Sequence, residues 1–317
     1  MISLRHHIFS LIAVFVALAI GIAAGSTVVR GPLLDSLRAR VESAETLIEA
    51  ERAENDSLAA EVAQLDQLGD DAPDQLLPGR LIGSAVLLVV AGDVDPGVVD
   101  GLSRSIDASS AELIGEIRIA GIAFDPEQTA VVAEALSLST NGETDVAVDL
   151  GRQLAASLAE VRDGVQASGP ISEVASTVFG ALEDEGIVDL LRLRTEPVAA
   201  DTFDVVVVVD RNVDDDPGPV LRAMVESATS DAEEVAPVMV IAEVGRVALD
   251  DEATSPSFVA TIRESGRLRD EISTVDNAET VLGWIATVLG LQNAHRGGVG
   301  HYGFRDGAEQ SIPAISP

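Results

Sequence analysis

Hydrophobic and polar positions form three successive patterns along the chain. After a short N-terminal tail over residues 1–7, an uncharged apolar run covers residues 8–29. At about 1.5 Å per residue, such a run spans roughly 33 Å as a helix, which matches the apolar core of a bilayer. Residues 30–70 then repeat apolar positions in steps of four and three, and residues 80–292 alternate short apolar runs with helix-length segments. The patterns predict a transmembrane helix, a coiled-coil stalk and an α/β domain, in that order.

The apolar run also fits a cleaved signal peptide, because a basic start precedes it and small residues occupy positions 23–25. The run continues through Val28 and Val29, beyond such a cleavage site, and the heptad pattern begins soon afterwards. These two features favour an uncleaved anchor.

The arginines near the run leave its orientation open. Arg5 lies on the N-terminal side, whereas Arg30, Arg38 and Arg40 lie on the other side. The positive-inside rule by itself therefore leans towards a cytoplasmic C-terminal part, but long domains cross the membrane largely regardless of charge.

The stalk pattern places mostly β-branched residues at the a positions of a heptad. Its seam consists of Leu37, Val41, Ala44, Ile48, Asn55, Leu58, Val62 and Leu65. β-branched residues at a with Leu at d favour a parallel two-stranded coil, and a single Asn at a fixes its register. Glu51 at a d position interrupts the seam. We therefore expect a homodimer, with a single amphipathic helix folded back on the α/β domain as the alternative.

Beyond a linker at residues 71–79, the pattern is that of a buried parallel sheet. Residues 205–209 are apolar at every position, as expected of a strand that is covered on both faces. The predicted strands are 85–90, 112–119, 188–193, 205–209, 238–244 and 272–275. The predicted helices are 96–108, 126–138, 146–165, 171–185, 219–228, 256–265 and 279–291. This alternation predicts a Rossmann-like, mostly parallel sheet with helices on both faces, followed by a glycine-rich tail over residues 293–317.

The composition excludes several classes of chemistry and partner. A formal net charge of −33, from 53 acidic and 20 basic residues, repels phosphate, so we expect no nucleic-acid partner. All 20 basic residues are arginine, which excludes a P-loop lysine and a Schiff-base lysine. The absence of cysteine from the sequence excludes disulfides, thiolate metal sites and a cysteine nucleophile.

Ligands of α/β sheets bind at the carboxyl ends of strands, which directs attention to the loops 92–97 and 210–218. The first loop has no G-x-G-x-x-G motif, so no dinucleotide site is predicted. The second contains Asp210, Asp214, Asp215 and Asp216, whose oxygens are ligands of the kind that Ca²⁺ or Mg²⁺ prefers. Asp and Pro-Gly are also common turn residues, and a solvated acidic turn is the favoured interpretation.

Imidazole chemistry is limited to four histidines, of which His295 and His301 flank a glycine-rich run. Such a run can form a nucleotide-binding loop, but no predicted strand precedes it, so a docked structural tail is the favoured interpretation. The two histidines are a weak candidate site for copper(II). Neither G-x-S-x-G nor H-E-x-x-H occurs in the sequence. We therefore predict no catalytic residues and no resident cofactor, and expect a protein that is not an enzyme.

Both ends of the chain resemble the actinobacterial family named after mycobacterial copper transport protein B. The resemblance is carried by residues 1–7, 13–21 and 25 near the N-terminus, and by residues 274–277, 298–303, 307–308 and 312–313 near the C-terminus. It implies a single-pass membrane protein of the cell envelope that serves copper homeostasis or efflux. It also implies that the α/β domain lies outside the cytoplasm.

The residues themselves supply few ligands of the kind that copper(I) prefers. Copper(I) prefers thiolate and thioether ligands, whereas the chain has no Cys and three Met, of which Met224 and Met239 fall in a predicted helix and strand. The first hypothesis is a non-enzymatic, membrane-anchored component of copper homeostasis or efflux, with an envelope protein as partner. The alternative is a dimeric envelope scaffold whose extracytoplasmic α/β domain binds a partner protein in cell-wall remodelling.

Overall fold

The structure is a computed structural model that describes residues 4–28, 40–58, 71–136, 145–211, 216–230, 237–245, 257–305 and 307–314. The chain divides into two compact units, Met1–Asp66 and Gln67–Pro317.

The described residues of the first unit form the helices α1 (Leu4–Val28) and α2 (residues 40–58). Within α1, the stretch His6–Ala24 has a mean hydropathy of 2.5 and is unburied, so the helix is long and apolar enough to cross a membrane. The predicted N-terminal apolar helix is confirmed. Helix α2 covers the middle of the predicted stalk, while Leu37, Val62 and Leu65 of the predicted seam lie outside the described residues. Pairing of this helix in a coiled coil stays a prediction.

The second unit is built on one seven-stranded sheet. Its strands are β1 (Ser84–Ala91), β2 (Glu112–Ile119), β3 (Val188–Leu191), β4 (Thr202–Asp210), β5 (Val238–Val244), β6 (Ser273–Val275) and β7 (His301–Tyr302). Their order across the sheet is β3-β2-β1-β4-β5-β6-β7. All neighbouring pairs are parallel except β2 and β3. The prediction of a mostly parallel sheet is confirmed.

Helices cover both faces of the sheet. In chain order they are α3 (Ala72–Leu76), α4 (Pro96–Ala108), α5 (Thr129–Ala135), α6 (Val146–Gln166), α7 (Ile171–Asp184), α8 (Gly218–Ala228), α9 (Phe258–Glu264), α10 (Leu268–Glu271) and α11 (Val281–His295). Helices α5 to α9 pack in one apolar core, and α4 and α11 pack in the other. Each face therefore has its own hydrophobic core.

The central position of β4 in the sheet explains why residues 205–209 are all apolar. Its valines alternate between the two cores, with Val205 and Val207 facing α6 to α8 and Val206 and Val208 facing α4 and α11. All four are fully buried. A strand that is covered on both faces removes both sets of side chains from water, which is the main stabilising term available to a chain with so few aromatic residues.

Several details differ from the sequence prediction. The segment predicted as a linker contains α3, which precedes the fully buried Leu77. The helix predicted over 126–138 is a short 3₁₀ turn, Pro126–Gln128, followed by α5. The glycine-rich tail adds a strand, β7, to the sheet edge, where it pairs with β6. The tail is thus docked on the α/β domain, because main-chain hydrogen bonds to β6 hold it there.

Candidate functional site

The carboxyl edge of β5, β6 and β7 holds a cluster of buried charges. It consists of Glu243 in β5, Arg263 in α9, Asp276 just after β6 and Arg305 just after β7. We call these four side chains the edge network. Glu243, Arg263 and Asp276 each expose at most 6% of their surface, so the charges depend on one another rather than on water.

Arg263 occupies the centre of the edge network and uses three donors. Its Nη1 lies 2.8 Å from Asp276 Oδ2, and its Nε lies 2.9 Å from Thr274 Oγ1. Its Nη2 donates to the main-chain oxygen of Tyr302 at 2.9 Å. One guanidinium on α9 therefore ties together the ends of β6 and β7.

Asp276 and Glu243 receive the remaining donors of the network. Asp276 accepts the main-chain N–H groups of Phe304, at 2.9 Å, and Arg305, at 3.2 Å. Glu243 accepts Arg305 Nη1 at 2.6 Å, and Ser257 Oγ lies 2.9 Å from both of its carboxylate oxygens. Arg305 also donates to the main-chain oxygen of Gly245. Two carboxylates thus balance two guanidinium groups.

A glycine lets the chain leave β7 into this network. Gly303 has φ +131°, a backbone conformation that residues with a side chain rarely adopt. A Cβ at this position would collide with the Asp276 carboxylate. The next residue, Phe304, exposes 67% of its surface, whereas Phe124, Phe179, Phe203 and Phe258 expose at most 7%. The arrangement therefore holds an exposed phenyl ring on a backbone that is anchored by buried charge.

The helix N-termini near the centre of the carboxyl edge are occupied by the chain's own carboxylates. Asp95 Oδ1 accepts the N–H of Gly97 at 2.7 Å at the start of α4, which follows β1. Asp216 Oδ1 accepts the N–H of Gly218 at 2.8 Å at the start of α8. These are the positions where a Rossmann fold binds phosphate, and an aspartate carboxylate there repels it.

The predicted metal ligands are distributed over separate environments. Asp210 ends β4, and Asp216 accepts the main-chain N–H of Gly218 at the start of α8, while Asp214 and Asp215 lie outside the described residues. His295 is the last residue of α11, and His301 lies in β7 directly before Tyr302. Within the described residues, no group of three or more His, Asp or Glu side chains is placed to hold a metal ion.

His295 is paired with a fully buried carboxylate. Its Nε2 lies 2.8 Å from Asp204 Oδ1, and Asp204 Oδ2 is buried with no hydrogen-bond partner. The hydrogen bond that His295 donates to Asp204, helped by the negative charge of that carboxylate, raises the pKa of His295 above its usual 6.5 although burial opposes the shift. The protonated imidazole is the form that this carboxylate stabilises.

His301 has the opposite environment. Thr274 Oγ1 accepts the Nε proton of Arg263 and lies 3.0 Å from His301 Nδ1. Burial and then the positive charge of Arg263 lower the pKa of His301 below its usual 6.5.

We expect the two histidines to titrate on opposite sides of pH 6.5 in an NMR titration of their imidazole signals. Because its pKa is raised, His295 contributes stability that is complete below pH 6.5 and is lost as the pH rises through its pKa in the folded protein. His301 contributes stability above pH 6.5 that is lost as the pH falls through its lowered pKa. In an Asp204→Asn variant, the midpoint of His295 should fall while that of His301 stays in place. A midpoint of His295 below that of His301 in the unmodified protein would contradict this assignment.

Sequence reasoning did not find the edge network. Glu243 and Arg263 lie in a predicted strand and helix, where single charged residues gave no signal of pairing. Asp276 and Gly303, however, belong to the segments 274–277 and 298–303 that carry the family resemblance. That resemblance was the one signal that pointed to this edge of the sheet.

Comparison with known proteins confirms the resemblance over the whole chain. A family model described as "Copper transport outer membrane protein, MctB" matches residues 1–313. Proteins named copper transporter MctB from Mycobacterium bovis and Mycobacterium tuberculosis are each 27% identical to this chain over 316 residues, which covers 97% of this chain and 98% of each relative. The protein of that name from Mycobacterium leprae is 26% identical over 317 residues, with the same coverage.

Proposed function

This chain belongs to the MctB family of copper transport outer membrane proteins, and from that premise we propose a non-enzymatic, membrane-anchored envelope protein of copper homeostasis and efflux. The observation that carries the proposal is the match of residues 1–313, which includes both the apolar helix α1 and the edge network. Helix α1 anchors the chain, and the α/β domain lies outside the cytoplasm.

The chemistry of the described residues favours action through a partner protein over direct copper binding. Met224 and Met239 are core side chains that expose 0% and 5% of their surface, so neither thioether is presented to an ion. His295 is bonded to Asp204, and His301 to Thr274. A tight copper(I) site needs several soft ligands brought together. We therefore propose that copper is carried by a partner.

The exposed ring of Phe304 is the contact that we assign to this partner. Aromatic side chains on a rigid backbone lose little conformational entropy on binding and often dominate interface energies. The backbone of Phe304 is fixed by Asp276 at 2.9 Å, and the next residue is tied to Glu243. Because the chain carries a net charge of −33, a basic rim around an apolar pocket suits the partner best.

Complementation of a deletion strain tests the proposal. Deletion should lower the copper concentration that the bacterium tolerates, and the full chain should restore it. A chain without residues 1–29 should not restore tolerance, because it lacks the anchor. Phe304→Ser should reduce tolerance, whereas Ile82→Ser, which removes a side chain that is 76% exposed before β1, should leave it unchanged. A reporter enzyme that works only after export should be active when it is fused after residue 317, whereas a reporter that works only in the cytoplasm should be inactive there.

Three results would count against the proposal. A reporter that is active only in the cytoplasm would overturn the topology. The purified chain could bind copper with sub-nanomolar affinity and lose this binding when His295 and His301 are replaced with Ala. That result would contradict the proposal that a partner protein carries the copper. Unchanged copper tolerance together with defective wall remodelling would favour the scaffold hypothesis instead.

A further inference from the structure

Helix α2 presents apolar side chains to solvent. Every residue of α2 is exposed, and Val41, Ile48 and Leu58 expose 53%, 47% and 52% of their surface. With Val41, Ile48 and Asn55 at position a, and Ala44, Glu51 and Leu58 at position d, these side chains share one stripe with a 3.5-residue period. The described part of α2 has 19 residues, and a helix with such a stripe gains stability mainly by packing against a partner.

We propose that this stripe binds α2 of a second copy of the chain, parallel and in register, so that Ile48 faces Ile48 and Asn55 faces Asn55. The parallel direction rests on the proposed function, since two copies anchored by α1 leave the same membrane in the same direction. A single Asn at an a position pairs best with its own counterpart and so fixes the register.

The charges of α2 fit this second copy. Glu51 is a costly residue at a d position, because it enters the seam. In a parallel pair, the hole that receives a d side chain includes the partner's residue at e, and position 52 is Arg52. Each Glu51 thus meets an arginine of the partner, and two symmetric ion pairs form at this layer.

A second pair of charges lies near the start of α2. Arg40 occupies position g, and Glu45 occupies position e of the following heptad. Residues g and the following e′ face each other across a parallel coiled coil. The g–e′ contact is attractive in the proposed dimer, and it adds specificity for a copy of the same helix.

The cysteine-free chain permits a direct test with single cysteines in the full-length protein in its membrane. Ala44→Cys lies at d in the seam, and Ala53→Cys lies at f on the opposite side of the same helix. In a parallel dimer, the two d residues are close enough for a disulfide, so mild oxidation with diamide should cross-link Ala44→Cys about tenfold faster than Ala53→Cys. Glu51→Arg should suppress the cross-link of Ala44→Cys, and adding Arg52→Glu should restore it.

The outcomes separate this inference from the proposed function. Equal rates at positions 44 and 53, or no cross-link at either, would overturn the dimer while leaving copper tolerance and topology unaffected. A mixture of Val41→Cys and Leu58→Cys chains that cross-links only between unlike chains would show an antiparallel pair and would overturn the parallel register. Loss of cross-linking that Arg52→Glu does not restore would overturn the ion-pair layer.

Discussion

Replacing Asp276 by Ala is expected to lower the free energy of unfolding of the α/β domain by about 3–5 kcal/mol, the range found when one partner of a buried ion pair is removed. The variant leaves Arg263 buried without its carboxylate partner, and it releases the N–H groups of Phe304 and Arg305. Urea unfolding of a fragment that begins at Gln67, the start of the second compact unit, measures the loss.

A matched control uses an exposed ion pair in the same domain. Arg192 Nη2 lies 2.9 Å from Asp100 Oδ1, and both side chains expose more than half of their surface. Asp100→Ala should therefore cost no more than about 1 kcal/mol, because water and salt screen exposed pairs. If Asp276→Ala cost as little as Asp100→Ala, the edge network would not hold the tail against the sheet.

Gly151→Ala is expected to destabilise the domain by at least about 2 kcal/mol, because it forces an atom into a closed contact between two helices. Gly151 lies in α6 against α8, where an added Cβ would collide with the main-chain oxygen of Val220 and lie 2.8 Å from the main-chain nitrogen of Met224. These are backbone atoms, so the strain is relieved only by moving α8.

The same substitution at Gly180 should have the opposite effect on the stability of the domain. Gly180 lies in α7, and no atom would lie within 4 Å of its added Cβ. Alanine is favoured over glycine within a helix, so Gly180→Ala should stabilise the domain by about 0.5–1 kcal/mol. Thermal unfolding of the two variants gives the comparison. A destabilisation of equal size at both positions would mean that backbone flexibility, rather than helix contact, governs the effect at Gly151.

The predicted elements agree with the structure where burial alone dictates them. Helix α4 and strand β2 have the predicted bounds, and β4 extends the predicted apolar run at both ends. Asp95 marks the start of α4 because its carboxylate caps the first turn and Pro96 follows it. Such signals are local in sequence, and therefore readable without tertiary information.

Strand β7 and helix α3 were not predicted, because their stability comes from contacts that are distant in sequence. Strand β7 has two residues and depends on pairing of His301 with Thr274 in β6. Helix α3 has five residues and precedes Leu77, which lies in the core formed with α4 and α11. No periodicity can be detected over so few positions, since the partner strand or core is what makes them regular.

The sequence by itself determined the apolar N-terminal helix, the heptad pattern, the order of the longer strands and helices and the mostly parallel sheet. Each of these follows from the spacing of apolar residues, which reports the number of faces that an element buries. Only the tertiary structure decided which charges meet. Arg263 and Asp276 are 13 residues apart and Glu243 and Arg305 are 62 apart, and the chain brings them together at one edge of the sheet. Charged residues carry no periodic signal of their partners, because pairing depends on distances in space that hydrophobic burial sets first.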